Sequence, residues 1–380
     1  MTHSLPVSIS DADIEEFGRE LDAIQHEVKA SLGAADRAYI RRAITVQRSM
    51  ALGGRVLIYA SLPLMPVFPL FLGVIGLGTA SLGLSKILEN MEIGHNVIHG
   101  QWDWMQDPEI HSSTWEWDNV CPADQWKHSH NVVHHTWTNV IGKDRDVGYE
   151  ILRVTDQQPW RPIHLAQPFY NALLAMLFQW GVAMHDIDLT RVRKGELKFR
   201  DIRVQLAGIG KKARKQVLKD YVLWPLLAGP AFLPVLLGNA VANLMRNVWS
   251  YAIIFCGHFP DGTQEFSIEE TEDESRGMWY FRQILGSANL TGGKLFHLLS
   301  GNLSFQIEHH LFPDIPAFRH TEIADEVQEI CQRYGLDYNT GPLGRQLFSV
   351  AKKICRMALP DRIIPGTRPE GRVTEDALAA

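Results

Sequence analysis

The chain has 380 residues, enough for one large domain or two ordinary ones, and a formal net charge of −6 at pH 7. This charge, with no nucleic-acid-binding motif in the sequence, argues against nucleic acid as a partner. The four cysteines are scattered and form no C-x-x-C pair, so we expect neither a disulfide framework nor a thiolate zinc site, and a reducing, cytosolic environment fits better. Mean hydropathy is −0.11, but the apolar residues are concentrated in blocks.

The N-terminal region, residues 1–46, starts with a polar, acidic segment in which no cleavable signal peptide is visible. From Asp11 onward, apolar residues recur at three- and four-residue steps, which is typical of an amphipathic helix. These residues are Ile14, Phe17, Leu21, Ile24 and Val28. We predict a cytosolic amphipathic region that either packs against the rest of the chain or lies on a surface.

The first apolar block has no charged residue between Arg55 and Lys86. This length exceeds the roughly 20 residues that one membrane helix needs. Three prolines in its first half mark a turn. We therefore predict a membrane hairpin with spans at about 47–66 and 69–90, whose second helix delivers His95 just beyond its end.

A second apolar block follows Tyr221 and is interrupted by Arg246. We predict another hairpin, with spans at about 221–238 and 240–257. His258 would then lie just past its end, as His95 lies past the first hairpin. Both hairpins would thus return a histidine to the same side.

Two stretches lie between the predicted hairpins. Residues 162–184 carry no charge, and the sequence leaves open whether they span the membrane or lie in its interface. Residues 191–219 hold eleven Lys or Arg against two acidic residues. Such a basic stretch is typical of a solvated helical face and of a cytoplasmic segment near anionic headgroups.

Sixteen histidines occur in the chain, and seven of them form three clusters far apart in sequence. The clusters are His95-x-x-x-His99, His130-x-x-x-His134-His135, and Gln306-Ile307-Glu308-His309-His310. Residues four apart share a helix face, so His95 and His99 could bind one metal, as could His130 and His134. His135 lies about 100° around the helix from His134 and could face a second metal. Doubled histidines in two clusters favour a two-metal site.

The donor types narrow the chemistry. Imidazole suits iron, zinc, copper and nickel, whereas carboxylate-rich sites suit magnesium, calcium and manganese. The carboxylate di-iron plan of soluble four-helix bundles needs two Glu-x-x-His motifs, and Glu92-x-x-His95 is the single one in the sequence. The H-E-x-x-H motif of zinc proteases is absent from the sequence.

These features resemble the membrane fatty acid desaturase family, whose pattern is three histidine boxes interleaved with two transmembrane hairpins. The similarity covers roughly residues 50–340. It includes Trp126 before the second box, Thr138-Asn139 after it and the run at 142–146. The stretch from Asn302 to Pro313 resembles the glutamine-type third box of front-end desaturases, and still more closely that of actinobacterial acyl desaturases without a fused haem domain.

The expected architecture is a mostly α-helical integral membrane protein with four transmembrane helices in two hairpins and a cytosolic helical cap that holds a di-iron site. Residues 47–345 form the desaturase domain. Residues 346–380 form a C-terminal helix and a disordered tail. The resemblance implies that the active site faces the cytoplasm, which favours the bacterial inner membrane as the location.

The resemblance also implies two iron ions that activate dioxygen to introduce a cis double bond into an acyl chain. The implied ligands are His95, His99, His130, His134, His135, His258, His309 and His310. Three roles are open for Gln306: binding iron, holding a ligand water, or bracing the site. Glu308, Asp144 and Asp146 either orient ligand imidazoles or are solvated loop charges. His111, His185, His297 and His320 are expected to be hydrogen-bonded or exposed histidines rather than ligands, and His128 lies outside the family pattern.

Catalysis of this kind needs electrons from outside. The sequence contains no His-Pro-Gly-Gly haem signature and no G-x-G-x-x-G after a strand. We therefore expect a separate ferredoxin, cytochrome or reductase as electron donor, and a fatty acyl substrate carried by CoA, a carrier protein or a membrane lipid.

Two alternatives to desaturation are open. A hydroxylase on the same scaffold would use the same oxidant. A zinc transporter or metal-dependent receptor belongs to another class, but a transporter would place its polar ligands at mid-membrane, and here every box lies outside the apolar blocks.

Overall fold

The computed structural model describes residues 9–185, 187, 191–192 and 195–363, and this part of the chain is mostly helical, as predicted. The helices of six or more residues are α1 (Asp11–Ser31), α2 (Ala34–Ser61), α3 (Phe68–Leu88), α4 (Gln167–Met176), α5 (Phe178–His185), α6 (Phe199–Val217), α7 (Phe232–His258), α8 (Arg276–Leu285), α9 (Lys294–Leu299), α10 (Gln306–Leu311), α11 (His320–Arg333) and α12 (Leu343–Met357). Shorter α-helices span Asn96–Ile98, Ala123–Trp126, His135–Trp137 and Trp224–Leu227, and π-helical segments span Glu89–His95, Lys127–His134 and Leu218–Leu223.

Helix α1 is the predicted amphipathic helix, and its apolar face packs inside the protein. Ser10 caps it by accepting a hydrogen bond from the backbone N–H of Asp13 at 3.2 Å. Phe17 and Leu21 are fully buried in a core shared with α8, α10 and α11. The N-terminal region therefore supports the helix that carries the third histidine box.

The predicted boundary between residues 46 and 47 is wrong, because it falls inside α2. This helix runs without a break from Ala34 to Ser61, and the chain turns where the prolines are, beginning with Pro63. No glycine or proline interrupts the helix near residue 46, so the basic first half and the apolar second half form one rod.

Helices α2 and α3 form the first predicted hairpin, and two glycines allow them to approach closely. A Cβ atom added to Gly54 would lie 2.8 Å from the carbonyl oxygen of Gly78, and one added to Gly78 would lie 2.8 Å from the backbone nitrogen of Ile58. Small residues at such a crossing are typical of helix pairs in membranes.

The second predicted hairpin also forms, but its turn is not at residue 239. Helix α6 continues through a π-helical segment to Leu227, the chain turns at Gly229–Ala231, and α7 is one unbroken helix. Proline fits a turn and the first helical turn, so Pro230 and Pro234 mark the reversal. Asn239 instead lies inside α7, where its buried side chain donates to the carbonyl of Asp220 at 2.6 Å.

Residues 162–184 form two short helices rather than one long one. Helix α4 has 10 residues and α5 has 8, and the chain bends between them at Leu177. Neither reaches the roughly 20 residues needed to cross a bilayer.

Contact with a membrane is supported by the surface of these helices. Within the described residues, one helical stretch, Phe68–Ile98, is long and apolar enough to cross a membrane. Large apolar side chains are exposed on α2, α3 and α7. Soluble proteins rarely expose large apolar patches. The exposed side chains include Leu52, Val56, Phe68, Leu70, Leu77, Leu237, Val241 and Leu244. The four predicted spans remain a prediction.

Two further elements complete the fold. The parallel strands β1 (Asn289–Thr291) and β2 (Thr340–Pro342) pair with Asn289 opposite Thr340. The predicted boundary between residues 345 and 346 is wrong because it falls inside α12, whose Val350 and Ile354 pack into the same core as Phe255 of α7. The predicted tail, from residue 364 onward, lies outside the described residues.

A methyl group added at Gly54, in the helix crossing, should change stability differently from one added at its neighbour Gly53. Gly54→Ala places a Cβ atom against the α3 backbone, so we expect a loss of about 1–3 kcal/mol in stability. Gly53→Ala meets nothing within 4 Å and should leave stability unchanged or slightly higher. Thermal unfolding midpoints in detergent would measure both. Equal midpoints would contradict the close crossing.

Candidate metal centre

The first box is delivered by the end of the α3 rod. A π-helical segment, Glu89–His95, follows α3 and leads directly into the short helix Asn96–Ile98. The rings of His95 and His99 have centroids 4.5 Å apart, so both face the same space. Nδ1 of His95 lies 3.0 Å from Oδ1 of Asn96, which leaves Nε2 directed elsewhere.

The second box also lies on a π-helical segment, Lys127–His134. There the backbone N–H of His135 donates to the carbonyl of His130, five residues earlier. In this wider turn, residues four apart do not lie on the same face as they do in an α-helix. His130 and His134 lie in different all-histidine groups, but together with Asp146 they also form a third group whose ligand atoms lie within 4.8 Å of one another. That they bind one metal together therefore stays a prediction.

Four segments of the chain bring the histidines together into two all-histidine groups. The first histidine group contains His95, His99, His130 and His309, and the second contains His134, His258 and His310. Within each group, one ring nitrogen per residue lies within 4.8 Å of the others. His309 and His310 are adjacent on α10 and lie in different groups, so each of the two groups combines histidines from distant segments.

His135 lies between the two groups. Its ring centroid is 4.8 Å from that of His99 in the first group and 4.4 Å from that of His310 in the second. Both of its ring nitrogens are buried without a hydrogen-bond partner.

Unpartnered ring nitrogens test whether a metal fits this arrangement. Buried polar atoms nearly always have a hydrogen-bond partner, so each exception needs an explanation. Seven of the eight predicted ligands have a buried ring nitrogen without one: His99, His130, His134, His135, His258, His309 and His310. Imidazole nitrogens with a free lone pair are the donors that iron or zinc binds. The residues present therefore fit a metal centre.

Asp144 orients His134 in the second group. Its carboxylate oxygens lie 3.0 and 3.1 Å from Nδ1 of His134 and also accept the backbone N–H groups of Asn139 and Asp146. Although burial opposes it, the charges of Asp144 and Asp146 raise the pKa of His134 to about 9. A fixed Nδ1–H turns Nε2 of His134 toward the group, as expected of a carboxylate behind a metal ligand.

Asp146 bridges several imidazoles. Its carboxylate lies 3.5 Å from Nδ1 of His134, 3.7 Å from Nδ1 of His130 and 3.1 Å from Nε2 of His185. The expectation that His185 is hydrogen-bonded or exposed rather than a ligand agrees with this pairing, which places His185 next to the predicted ligands. Nothing in the sequence near His185 indicated this contact, which depends on the position of α5.

His310 is held by two residues of other elements. Its Nδ1 lies 3.0 Å from Oε1 of Gln283 and 3.2 Å from Oγ1 of Thr138. Gln283 carries no sequence motif and was not predicted, whereas Thr138 was part of the family resemblance.

Gln306 contacts a histidine directly. Its Nε2 lies 3.0 Å from Nε2 of His258, and the residue is buried. Gly257 makes room for it, because a Cβ atom there would lie 2.9 Å from the Gln306 side chain. This contact is the one that the bracing role requires, but Oε1 of Gln306 is buried without a hydrogen-bond partner, so all three roles remain predictions.

Glu308 does not orient an imidazole, contrary to the prediction. Its carboxylate accepts hydrogen bonds from Asn289 of β1 at 2.8 Å and from the hydroxyl of Tyr338 at 2.6 Å. Burial raises the pKa of Glu308 to about 7. Since Asn289 also accepts the backbone N–H of Ile307 at 2.9 Å, Glu308 anchors α10 to the small sheet.

Side-chain amides join the first box to the third. Gln101 donates to the carbonyl of Pro313 at 3.1 Å and accepts the backbone N–H of Ala317 at 2.8 Å. Asn302, on the loop before α10, donates to Glu92 at 2.9 Å. These bonds fix the distance between His95 and His309.

The other histidines differ in position. His128 is exposed and His297 is hydrogen-bonded, as expected. His320, however, is fully buried with its ring centroid 6.2 Å from that of His309, and both of its nitrogens lack a partner. The expectation that His320 is hydrogen-bonded or exposed is wrong, and the residue lies beside the predicted ligand His309.

A cavity of about 480 Å³ adjoins both histidine groups. It is lined by His95, His130 and His258 and by apolar or aromatic side chains that include Trp126, Val182 and Ile254. Ligand cavities commonly combine apolar walls with a few polar groups. Buried imidazoles beside a cavity with apolar walls are the features expected of a histidine-ligated metal enzyme that acts on an apolar substrate.

The chain belongs to the fatty acid desaturase family, whose profile it matches over residues 69–342. It is an oxidoreductase that desaturates fatty acyl chains. Membership of a membrane-associated family agrees with the exposed apolar helices described above.

Several characterised relatives share this assignment. The chain is 44% identical to the NADPH-dependent stearoyl-CoA 9-desaturase of Mycobacterium tuberculosis over 373 residues, which cover 95% of this chain and 86% of the relative. It is 25% identical to the sn-1 linoleoyl-lipid 6-desaturase of Synechocystis over 73% of this chain and 77% of the relative. No solved structure matches the chain.

Asp144→Asn should weaken the second histidine group. The amide keeps the shape of the carboxylate but loses the charge that faces His134, so we expect metal affinity to fall about 10- to 100-fold. Titration with ferrous iron, followed by metal analysis, would measure this. The matched control is Asp124→Asn, an exposed acidic residue before the second box, which should bind as the wild type does. Unchanged affinity in Asp144→Asn would contradict the orienting role.

Proposed function

We propose that the protein introduces a cis double bond at carbon 9 of a long saturated acyl chain carried by CoA. The support for this substrate is the 44% identity with a stearoyl-CoA 9-desaturase, which extends over 95% of the chain. The observation that carries the chemistry is the pair of histidine groups, whose unpartnered buried nitrogens face one another beside the cavity.

Two iron ions would be held by these histidines. His95, His99, His130 and His309 would hold one ion, and His134, His258 and His310 the other, with His135 placed between them. When bound, the iron pair supplies the oxidising power, taken from dioxygen, that an unactivated C–H bond requires.

The residues of the chain supply position and a dry environment. Trp126, Val182 and Ile254 give the acyl chain apolar walls beside His95, and these walls exclude water from the reacting carbons. Asp144 and Gln283 hold protons at Nδ1 of His134 and His310, so that the opposite ring nitrogens stay free to bind metal. Gln306 braces His258 from α10.

We also propose that the protein is integral to the bacterial inner membrane, with two hairpins and the metal centre on the cytoplasmic side. The basic helix α6 supports this orientation, because it leads directly into the second hairpin and exposes Arg203, Arg214 and Lys215. Electrons would come from a separate ferredoxin, cytochrome or reductase. Membrane lipid would surround the exposed apolar faces of α2, α3 and α7.

Expression with a competent electron donor in a host that lacks the product tests the proposed function. We expect fatty acid analysis by gas chromatography–mass spectrometry to show a new cis-9 unsaturated acid, and His309→Ala to abolish it. His128→Ala is the matched control, because His128 is exposed beside the second box and should leave activity unchanged.

An unchanged fatty acid profile with the donor present would contradict the proposal. Equal activity of His309→Ala and the wild type would show that the third box is not part of the centre.

A further inference from the structure

A second cavity of about 410 Å³ continues the first one away from the second histidine group. The two cavities share four lining residues, His95, Trp126, Val182 and Ile254, so they meet beside the first histidine group. From this point the second cavity follows α7 backward from Ile254 past Ser250 to Arg246. Eight residues of helix correspond to about 12 Å.

The walls of the second cavity change along its length. Near the histidines they are apolar or aromatic, with Met91, Trp117, Phe178 and Ile254. At the far end they are polar and buried: Asn90, Asn119, Gln179, Arg246 and Asn247. An apolar chain could thus occupy the near part and would meet a polar surface at the far part.

The polar end is held firmly. Arg246 is 1% exposed, and its guanidinium donates to the carbonyl of Asp118 at 2.9 Å and to the side chain of Asn247 at 3.2 Å. Asn247 in turn donates to the carbonyl of Met176 at 2.7 Å. Beyond them, Asp118 joins a buried ion network through Lys86, at 2.9 Å. A methyl terminus that pushed past this surface would have to break these bonds without replacing them.

Asn90, Asn119, Arg246 and Asn247 donate to protein acceptors. The buried, unpartnered Oε1 of Gln179 is itself an acceptor. A carbonyl or thioester would therefore find few donors there. The side-chain amide of Asn119, for example, already donates to Asn90 at 3.0 Å. The apolar walls that lead to this end favour the methyl terminus as the part of the substrate that occupies it.

We propose that Arg246, held by Asn247 and the Asp118 carbonyl, closes the methyl end of the acyl site and limits how many carbons extend beyond the reacting pair. This inference rests on the proposed acyl desaturation. It makes Arg246 a residue that determines chain-length specificity by position, without touching the metal centre.

Filling the cavity in front of Arg246 should shorten the accepted chain. Ser250 lies on α7 between Ile254 and Arg246 and lines the cavity, so Ser250→Phe occupies space that the methyl end would use. Because one methylene in an apolar pocket changes discrimination about 10-fold or more, the ratio of shorter to longer unsaturated products should rise by at least that factor. The matched control is Val248→Phe, which adds the same ring on the exposed face of the same helix and should leave the ratio unchanged.

The opposite change should lengthen the accepted chain. Arg246→Gln retains an amide donor for Asp118 but shortens the side chain, so the cavity end recedes and longer products should increase. Both variants would be assayed in membranes with an equimolar mixture of saturated acyl-CoA esters of different lengths, after a folding check by size-exclusion chromatography. Should Arg246→Gln fail that check, the Ser250→Phe and Val248→Phe pair still decides the question.

The outcomes separate the two proposals. Desaturation of the mixture by every protein, with the same chain-length ratio in Ser250→Phe and wild type, would overturn the assignment of Arg246 and leave the proposed function standing. No desaturation of any ester by the wild type would overturn the proposed function and this inference with it.

Discussion

The rest of the structure depends on one constraint: several buried imidazoles lie close together without hydrogen-bond partners. Each buried ring nitrogen that lacks a partner costs free energy, about 1–3 kcal/mol by analogy with other unsatisfied polar groups. Seven predicted ligands share this condition at one place. Such a cluster persists because a metal can satisfy the nitrogens and because the surrounding helices hold them in position.

Much of the fold can be understood as the support for this cluster. The α2–α3 hairpin brings His95 and His99, and α7 brings His258, while α1 and α11 pack behind the α10 helix that carries His309 and His310. Amide and carboxylate side chains then fix the segments to one another, as Gln101 does between the first and third boxes. Gln283, Asp144 and Gln306 set the rings themselves. Together, the helices and these hydrogen bonds leave room beside the histidines for an apolar chain.

The sequence predicted the helical class, the two reversals of the chain and the histidines that meet. It could do so because apolar periodicity and histidine spacing are local properties. It placed the second reversal wrongly, because the chain turns at Gly229–Ala231, whereas Asn239 lies inside α7 and bonds to Asp220. It also missed Gln283, His185 and His320, because their relation to the site depends on how helices pack. The placement of His130 and His134 in different all-histidine groups depends on a π-helical turn, which their spacing did not reveal.

The central claim is that the two histidine groups hold two iron ions for oxidation chemistry. Metal analysis of the protein purified from iron-supplied cells, combined with measurement of oxygen consumption in the presence of acyl-CoA and an electron donor, tests it most directly. The account predicts about two irons per chain, one for each histidine group, and oxygen uptake that depends on the acyl substrate. Zinc alone, with no oxygen consumption, would contradict it.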